Sequence, residues 1–260
     1  MTKEKIAIVK IGGNIIEDEV VLKQFLQSFS KLKGKKILIH GGGKRATQFA
    51  TKLGIASKMV DGRRITDKET LEVITMVYAG LVNKKIVSQL QANKTDAIGL
   101  TGADINSIQS EKRPVKEIDF GFVGDVNHVN HHGIDTLMTA GFTPVFCALT
   151  HDGNGQLLNT NADTIASQIA IGMSEIYATS LYYCFELKGV LNDFKDKESV
   201  IQKINSKTYQ KLLSAGTISA GMLPKLENCF DALQKDVQEV LIGDTTLFSK
   251  ENNLHTKITL

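Results

Sequence analysis

Short apolar runs, each followed by glycines and then by a segment of helical periodicity, recur along the first part of the chain. The first run is Ile6–Ile11, in which only Lys10 is polar, and Gly12-Gly13 follow it directly. Such a run predicts a strand buried on both faces, as in a parallel sheet. Apolar residues at helical spacing over Val20–Leu32 then predict an amphipathic helix.

The same order returns in the next segment of the chain. Lys36–His40 predicts a strand, Gly41–Gly43 follow it, and Ala46–Leu53 predicts a helix. Glycines at a helix start offer backbone N–H donors and the positive end of the helix dipole, which together favour an anion. A glycine-rich connection without a ligand is the alternative for this stretch.

Further apolar runs alternate with helical segments through the rest of the chain. They predict strands at 97–100, 144–149, 177–185, 237–242 and 257–260. This alternation predicts an α/β fold, a three-layer αβα sandwich with a mostly parallel central sheet. The length of 260 residues fits a single domain with two lobes.

The longest predicted helix runs from Asp67 to about Gln91. Its start, Thr66–Glu69, matches the pattern of a capping box. One apolar face is predicted for it, made of Leu71, Ile74, Tyr78 and Leu81.

Charge and cysteine usage exclude several classes of function. The net charge is only +3, and the 31 basic residues form no block, so a nucleic-acid partner is not expected. Cys147, Cys184 and Cys229 are odd in number and far apart, which argues against a disulfide framework and a zinc site. Neither a signal peptide nor an apolar run of membrane-spanning length is found. These features predict a cytoplasmic protein without a membrane partner.

Two cations in the first part of the chain are candidates for anion binding. Lys10 lies inside an apolar strand, where an unpaired charge would be costly, so an anionic ligand beside Gly12-Gly13 is one interpretation. A lysine that extends to solvent from an edge strand is the other. Arg64 lies in a predicted hairpin, Met59–Ile65, and could hold a carboxylate through two parallel hydrogen bonds. A solvated arginine at the hairpin end is the alternative.

A second group of polar candidates precedes later helices. Asn159, Asn161 and Asp163 alternate along the chain and would project to one side of an extended segment, where they could line a site. Helix N-capping is the alternative. Lys225 follows Pro224 at a helix start, where a positive charge is disfavoured unless an anion lies between the lysine and the helix end.

Five short motifs occur in a fixed order along the chain. They are Lys10–Gly13, His40–Gly43, Gly62–Thr66, Asn159–Asp163 and Gly221–Lys225. In these motifs the sequence resembles the amino acid kinase family over essentially its whole length, and within that family the enzymes that phosphorylate N-acylated glutamates. The resemblance implies the amino acid kinase fold, with residues 1 to about 170 for the amino-acid substrate and about 171–260 for ATP.

The resemblance also implies an activity and a role for each matching residue. The γ-phosphoryl group of ATP would pass to the side-chain carboxylate of N-acetyl-L-glutamate or N-succinyl-L-glutamate, in arginine biosynthesis, with Mg²⁺ entering with the nucleotide. Lys10 and Lys225 would stabilise the transferring group, and Asp163 would hold the two lysines. Substrate binding is implied for Gly42, Gly43, Arg64 and Asn159, and phosphate binding for Gly12, Gly13 and Gly41; the amides of Gly42 and Gly43 would also reach phosphate oxygens.

The chemistry of the acceptor agrees with the residues present. A carboxylate has a reference pKa of about 4.3, so it is ionised at neutral pH and needs no general base. Two departures from the family pattern, Phe185–Lys188 and Ala220, lie in the half implied to bind ATP.

Two other functions and one assembly state follow from the same residues. A kinase of another small acid, such as an aspartokinase, carbamate kinase or uridylate kinase, is one alternative, and a ligand sensor without turnover is another.

A homodimer is expected, with the helix from Asp67 to Gln91 across the two-fold axis. Only Met1–Lys5 precede the first strand. Arginine-inhibited members carry an extra N-terminal helix that joins dimers into a hexamer, so activity is expected to be insensitive to arginine.

Overall fold

A computed structural model describes residues 2–60, 62–193, 195–214, 222–248 and 254–260. The chain divides into two compact units, the first formed by Met1–Lys36 with Ala166–Leu260 and the second by Ile37–Ile165. The predicted assignment of an amino-acid lobe and an ATP lobe concerns ligands and stays a prediction.

The secondary structure alternates between strands and helices, as the apolar pattern predicts. The strands are β1 (Lys5–Ile11), β2 (Lys35–His40), β3 (Met59–Val60), β4 (Arg63–Arg64), β5 (Ala97–Leu100), β6 (Ile108–Lys112), β7 (Gly124–Val129), β8 (Thr143–Cys147), β9 (Leu149–His151), β10 (Leu157–Asn159), β11 (Ala178–Cys184), β12 (Lys203–Ile204), β13 (Glu239–Gly243) and β14 (Thr256–Ile258). The helices are α1 (Gly13–Glu17), α2 (Glu19–Lys31), α3 (Gly43–Lys52), α4 (Lys68–Ile74), α5 (Asn83–Ala92), α6 (His131–Thr139), α7 (Ala162–Ser174), α8 (Ser206–Ser214) and α9 (Leu223–Gln234), with a π-helix over Thr75–Val82 and a 3₁₀ turn over Asp104–Asn106.

The first unit is built around a sheet with the strand order β12-β14-β13-β11-β1. β1 pairs with β11 in parallel, from Lys5 opposite Ala178 to Ile11 opposite Cys184. β11 and β13 are also parallel, whereas β13 and β14 are antiparallel. Because Ile8, Val9 and Ile11 are buried, the prediction of a doubly covered strand at the start of the chain is confirmed.

Helix α2 supplies an apolar face to the first unit. Leu22, Phe25, Leu26 and Phe29 are buried on it, which confirms the predicted amphipathic helix. The helix begins at the cap Asp18, whose carboxylate accepts hydrogen bonds from the backbone N–H groups of the first turn. Residues 13–17 form the short helix α1, a segment without helical periodicity in its apolar residues.

The C-terminal end of α2 is held by a buried lysine. Nζ of Lys36 donates to the carbonyl oxygens of Phe29, Ser30 and Leu32 at 2.9, 2.8 and 2.8 Å. Ser30 O belongs to the last helical turn, whose carbonyls lack partners inside the helix, and Phe29 O also accepts from the cap residue Leu32 N at 3.1 Å. Burial lowers the pKa of Lys36 from its usual value. The three hydrogen bonds offset part of that desolvation cost.

Lys36→Met is expected to lower the free energy of unfolding by about 3 kcal/mol, because three carbonyls lose a charged donor. Urea unfolding followed by circular dichroism measures this change. The control is Lys33→Met, which alters an exposed lysine between α2 and β2 and is expected to stay within about 0.5 kcal/mol of the unchanged protein. Equal stability of the two variants would contradict the role given to Lys36.

The second unit contains two layers of strands and a small hairpin. β2, β8 and β5 lie side by side in parallel, with Leu38 opposite Val145 and Ile98 opposite Pro144. A four-stranded sheet has the order β10-β9-β6-β7, and β3 pairs with β4 as the predicted hairpin. Both units therefore have the α/β architecture with mostly parallel central strands that the sequence predicts.

The helix predicted from Asp67 to Gln91 differs from the expectation in two respects. Its N-cap is Asp67, whose carboxylate accepts from Thr70 N at 2.8 Å, so the capping box on Thr66 is wrong. Its middle turns are a π-helix, which changes the direction in which successive side chains point. Leu71, Ile74 and Tyr78 are buried as predicted, but Leu81 is 45% exposed.

Within the part of the chain that the structure describes, no helix combines the length and the apolar character needed to cross a membrane.

Candidate active site

In the first unit, two lysines from distant parts of the sequence are both neighbours of Tyr183. Lys10 on β1 lies opposite Tyr183 on β11, and side chains at matched positions of neighbouring parallel strands point to the same face. Lys225, in the first turn of α9, places Nζ 4.8 Å from the centre of the Tyr183 ring. The sheet register and the start of α9 therefore bring Lys10 and Lys225 together. Sequence reasoning missed Tyr183, because it resembles any other apolar position of its strand.

The positive charges of Lys10 and Lys225 both act on the pKa of the neighbouring Cys184 thiol. Burial is the main cause that raises the pKa of Cys184 far above its usual range, and Asp244 raises it further. The positive charges of Lys10 and Lys225 both act in the opposite direction. Two cations that act on one buried group lie in one region, where the concentrated positive charge suits a polyanionic ligand.

The turn after β1 has the close packing that glycine allows. Gly12 N donates to Cys184 O at 2.8 Å, so this amide pairs with the end of β11, and the phosphate role implied for Gly12 stays a prediction. A Cβ at Gly12 would lie 3.3 Å from Phe185 Cβ, whereas a Cβ at Gly13 would meet nothing within 4 Å. Space for a ligand is therefore present at Gly13.

The segment that departs from the family pattern lies against this turn. Asn14 Nδ2 donates to Glu186 Oε1 at 2.6 Å, across 172 positions of sequence. Phe185 N donates in turn to Gly243 O at 2.9 Å at the end of β13. Phe185–Lys188 therefore follows the carboxyl end of β11, beside Gly12-Gly13, and Glu186 adds a carboxylate that sequence reasoning did not place there.

In the second unit, the glycine loop after β2 packs against the π-helix. Gly42 has φ +156° and ψ 16°, a conformation that favours glycine. A Cβ at Gly42 would lie 2.8 Å from Cδ1 of Tyr78 and 3.6 Å from a methyl group of Val82. Helix α3 begins at Gly43, three residues earlier than predicted, so the loop leads directly into the first helical turn.

Arg64 is anchored to the start of α3. Its Nη2 donates to Gly43 O at 3.0 Å and to Thr47 Oγ1 at 2.7 Å, and its Nη1 donates to Ser57 Oγ at 2.9 Å. The residue is only 9% exposed, so the alternative of a solvated arginine at the hairpin end is wrong. The guanidinium is therefore held in one place beside the glycine loop.

Tyr78 completes the environment of this arginine. Burial raises the pKa of its hydroxyl, while the charge of Arg64 and a hydrogen bond with the Arg64 side chain act in the opposite direction. Tyr78 thus contacts both the loop glycine and the arginine. The sequence indicated only that Tyr78 is apolar and inward-facing.

Asn159 reaches the strand that carries Arg64 through Thr66. Its Nδ2 donates to Thr66 Oγ1 at 3.0 Å, and Thr66 Oγ1 donates to Arg64 O at 3.4 Å. Backbone pairing fixes the same segment, because Asn159 N donates to Phe122 O at 2.9 Å. Among the predicted substrate-binding residues, Arg64, Asn159, Gly42 and Gly43 are therefore linked within the second unit.

The idea that Asn159, Asn161 and Asp163 project together from an extended segment is wrong. Asn159 ends β10, whereas α7 already begins at Ala162. Asn161 Oδ1 accepts from Asp163 N at 2.7 Å and from Thr164 N at 3.2 Å, so Asn161 caps the helix. Asp163 lies in the first turn of α7, directly after Ala162, whose Cβ is 3.8 Å from where a Cβ on Gly41 would be.

Part of the last motif lies outside the described residues. This applies to Gly221 and to the departure at Ala220. Pro224 is in the first turn of α9, as predicted, and this turn positions Lys225.

Most of the chain matches a known protein family. Residues 5–244 match the amino acid kinase family. The chain belongs to the amino acid kinase family. The match spans both units of the fold, including every predicted site residue.

Relatives within this family share a name. An acetylglutamate kinase of Cytophaga hutchinsonii is 56% identical over 240 residues, which cover 92% of this chain and 91% of the relative. An acetylglutamate kinase of Bacteroides fragilis is 55% identical, with 92% of each chain covered. A more distant acetylglutamate kinase, from Brachyspira hyodysenteriae, is 36% identical over 94% of this chain and 84% of its own.

Two solved structures share the fold. The smu.665 protein of Streptococcus mutans superimposes with a TM-score of 0.79 at 26% identity, and 98% of each chain is covered. A carbamate kinase from Giardia lamblia bound to AMP-PNP gives a TM-score of 0.68 at 14% identity, again with 98% of each chain covered. At that identity the second likeness shows the fold alone.

Proposed function

We propose that this amino acid kinase transfers the γ-phosphoryl group of ATP to the side-chain carboxylate of an N-acylated glutamate. The observation that carries the proposal is that Lys10 lies opposite Tyr183 while Lys225 places Nζ beside the Tyr183 ring, because two cations in one region serve a reaction among anions. The relatives named acetylglutamate kinase support the choice of acceptor.

The two lysines supply what this reaction requires. Phosphoryl transfer needs alignment and positive charge more than covalent chemistry from the protein. A glutamate side chain is ionised at neutral pH, so it attacks without a base, and it must approach a phosphoryl group that is itself negative. Charges of Lys10 and Lys225 would offset that repulsion most strongly in the transition state.

The arginine cluster of the second unit supplies recognition of the acid. We define this cluster as Gly42, Gly43, Arg64 and Asn159. A guanidinium held by three hydrogen bonds places a fixed positive charge for a substrate carboxylate, and the Asn159 amide offers a donor and an acceptor. The role implied for Asp163 stays a prediction.

Mg²⁺ is proposed to arrive with the nucleotide, held by phosphate oxygens and water. Across the described ranges of the chain, no group of three His, Cys, Asp or Glu side chains gathers as metal ligands. When bound, the ion would neutralise part of the phosphate charge. Gly13, with open space where a side chain would project, is the protein group proposed to approach the phosphates.

Trapping of the acyl phosphate tests the proposed function. The protein is incubated with ATP, Mg²⁺ and hydroxylamine together with N-acetylglutamate, N-succinylglutamate, free glutamate, aspartate or carbamate. A hydroxamate from an N-acylated glutamate supports the proposal and identifies the acyl group. Hydroxamate from aspartate, or ADP released with carbamate, would support another small-acid kinase, and binding without turnover would support a sensor.

We also propose that the enzyme works in the cytoplasm as a homodimer. The π-helix exposes two large apolar side chains, Met76 at 58% and Leu81 at 45%. Exposed apolar side chains on one long helix are suited to packing across a two-fold axis.

Met76→Lys combined with Leu81→Lys is expected to convert a dimer of about 57 kDa, twice the 28.4 kDa chain, to a monomer, because two charges from each protomer would be buried at the interface. Light scattering after gel filtration measures the mass. The control is Val20→Lys on α2, which removes another exposed apolar residue and is expected to leave the mass unchanged. A monomer before any substitution would contradict the assembly.

A further inference from the structure

A buried histidine directly precedes the glycine loop of the second unit. His40 is fully buried at the end of β2, and its Nδ1 lies 2.7 Å from Gly41 O. Its Nε2 lies 3.0 Å from Asn83 Nδ2, at the start of α5. The two ring nitrogens therefore connect the loop to a helix 43 positions further along the chain.

The partners of these atoms determine which nitrogen carries the proton. Asn83 Nδ2 also lies 2.9 Å from Val145 O, and a carbonyl oxygen only accepts, so this side-chain atom must be the amide nitrogen. Because that nitrogen donates, Nε2 of His40 accepts. The proton of the neutral ring is then on Nδ1, where it is donated to Gly41 O.

The position of Asn83 is itself determined by packing. The residue follows the π-helix directly. A Cβ built on Gly99 would lie only 1.8 Å from Asn83 Oδ1, so the side chain of Asn83 occupies that place. A glycine is therefore required in β5, in a strand where glycine is otherwise unfavourable. The π-helix also presses Tyr78 against Gly42, so one long helix contacts the loop through a side chain and through the His40–Asn83 pair.

We propose that His40, held in its Nδ1–H tautomer by Asn83, is a positioning residue for the loop Gly41–Gly43. The donated hydrogen bond fixes the direction of the Gly41 carbonyl, and this sets the peptide planes that lead to Gly42 and Gly43. The inference rests on the proposed function, in which Gly42 and Gly43 of this loop belong to the arginine cluster that recognises the acid.

The environment of His40 keeps the ring neutral. Burial lowers the pKa of His40 to about 4, the hydrogen bond with Gly41 raises it, and the charge of Lys84 lowers it. At neutral pH the tautomer, rather than the charge, therefore decides what the ring donates.

Two amide substitutions at His40 test the role of each ring nitrogen separately. In His40→Asn, the amide nitrogen takes the place of Nδ1 and keeps a donor for Gly41 O. In His40→Gln, the amide reaches the place of Nε2 and loses that donor. We expect kcat to fall about 100-fold in His40→Gln and less than about fivefold in His40→Asn, with the KM for ATP nearly unchanged in both. Equal kcat values for the two variants would overturn the proposal, because a residue that only fills space has no preference for one end.

A third variant covers the case in which the glutamine variant does not fold. Asn83→Leu keeps the size of the side chain but removes the donor to Nε2, so the ring should populate both tautomers and kcat should fall about tenfold or more. The control is Asn93→Leu at the other end of the same helix, for which normal kcat is expected. Normal kcat in Asn83→Leu would also overturn the proposal.

The tautomer can be measured without turnover. Nitrogen-15 chemical shifts and long-range couplings of the His40 ring should show a proton on Nδ1 in the unchanged protein and a mixture in Asn83→Leu. A proton on Nε2 in the unchanged protein would overturn the positioning role. If the unchanged protein phosphorylates none of the acids while the ring shows Nδ1–H, the proposed function fails and the tautomer assignment stands.

Discussion

Replacing Lys10 or Lys225 by methionine is expected to lower kcat by about 100- to 1,000-fold, the range found when one group that stabilises transition-state charge is removed. Methionine keeps an unbranched apolar side chain, so the loss is of charge. The KM for ATP should change much less, because repulsion between the carboxylate and the phosphoryl group is greatest in the transition state. Hydroxamate formation at saturating substrate measures kcat for each variant.

Two exposed lysines on the same elements serve as matched controls. Lys5→Met lies at the other end of β1, and Lys235→Met directly follows α9. Both are expected to keep kcat within about twofold, since neither charge lies at Tyr183. Thermal unfolding of each variant, measured beside kcat, separates a loss of catalysis from a loss of stability. Turnover of Lys10→Met or Lys225→Met within threefold of the unchanged enzyme would contradict the role of these lysines.

The parts of the fold that the sequence predicts well are those determined by neighbours in the chain. β1 and β2 are apolar runs followed by glycines, and their boundaries agree with the prediction to within one residue. The hairpin β3-β4 follows from a glycine with φ +73° at Gly62, and Asp61 beside it lies outside the described residues. Local propensity and packing favour the same structure in these segments.

The π-helix could not be predicted in this way. Helical periodicity places Leu81 on the same face as Tyr78, whereas in the π-helix Leu81 is exposed and Val77 and Val82 are buried. The capping residue was mispredicted for a similar reason, because Thr66 and Asp67 can both cap a helix. Thr66 N donates to Phe120 O and Thr66 O accepts from Phe122 N, so Thr66 belongs to an extended segment and Asp67 becomes the cap.

The sequence predicts the charged residues of the candidate site, but not the residues that hold them in place. Lys10 and Arg64 stand out as charges in apolar or hairpin segments, so a single sequence can identify them. Tyr183 and Asn83 matter because of contacts across tens of positions, for which the sequence contains no pattern. The same holds for Asn161, whose two possible roles differ only in where α7 begins, at Ala162.

Arg64→Ala is expected to raise the KM for the acid substrate by about 10- to 100-fold, because a hydrogen bond between charged groups contributes about 1.5–3 kcal/mol. The KM for ATP should stay within about threefold. Some loss of stability is also expected, since Gly43 O, Thr47 and Ser57 lose their shared donor. Steady-state kinetics with each substrate varied in turn, together with a melting temperature, measures both effects.

Arg63→Ala is the control, because it removes the same charge from the neighbouring, exposed position of β4. Its KM for the acid should rise less than twofold, which would show that local charge alone is not responsible. Arg64→Lys keeps the charge but not the fork of donors, so a KM between those of the unchanged enzyme and Arg64→Ala is expected. If Arg64→Ala instead raised only the KM for ATP, Arg64 would belong to the nucleotide site, and the proposed recognition of the acid would be wrong.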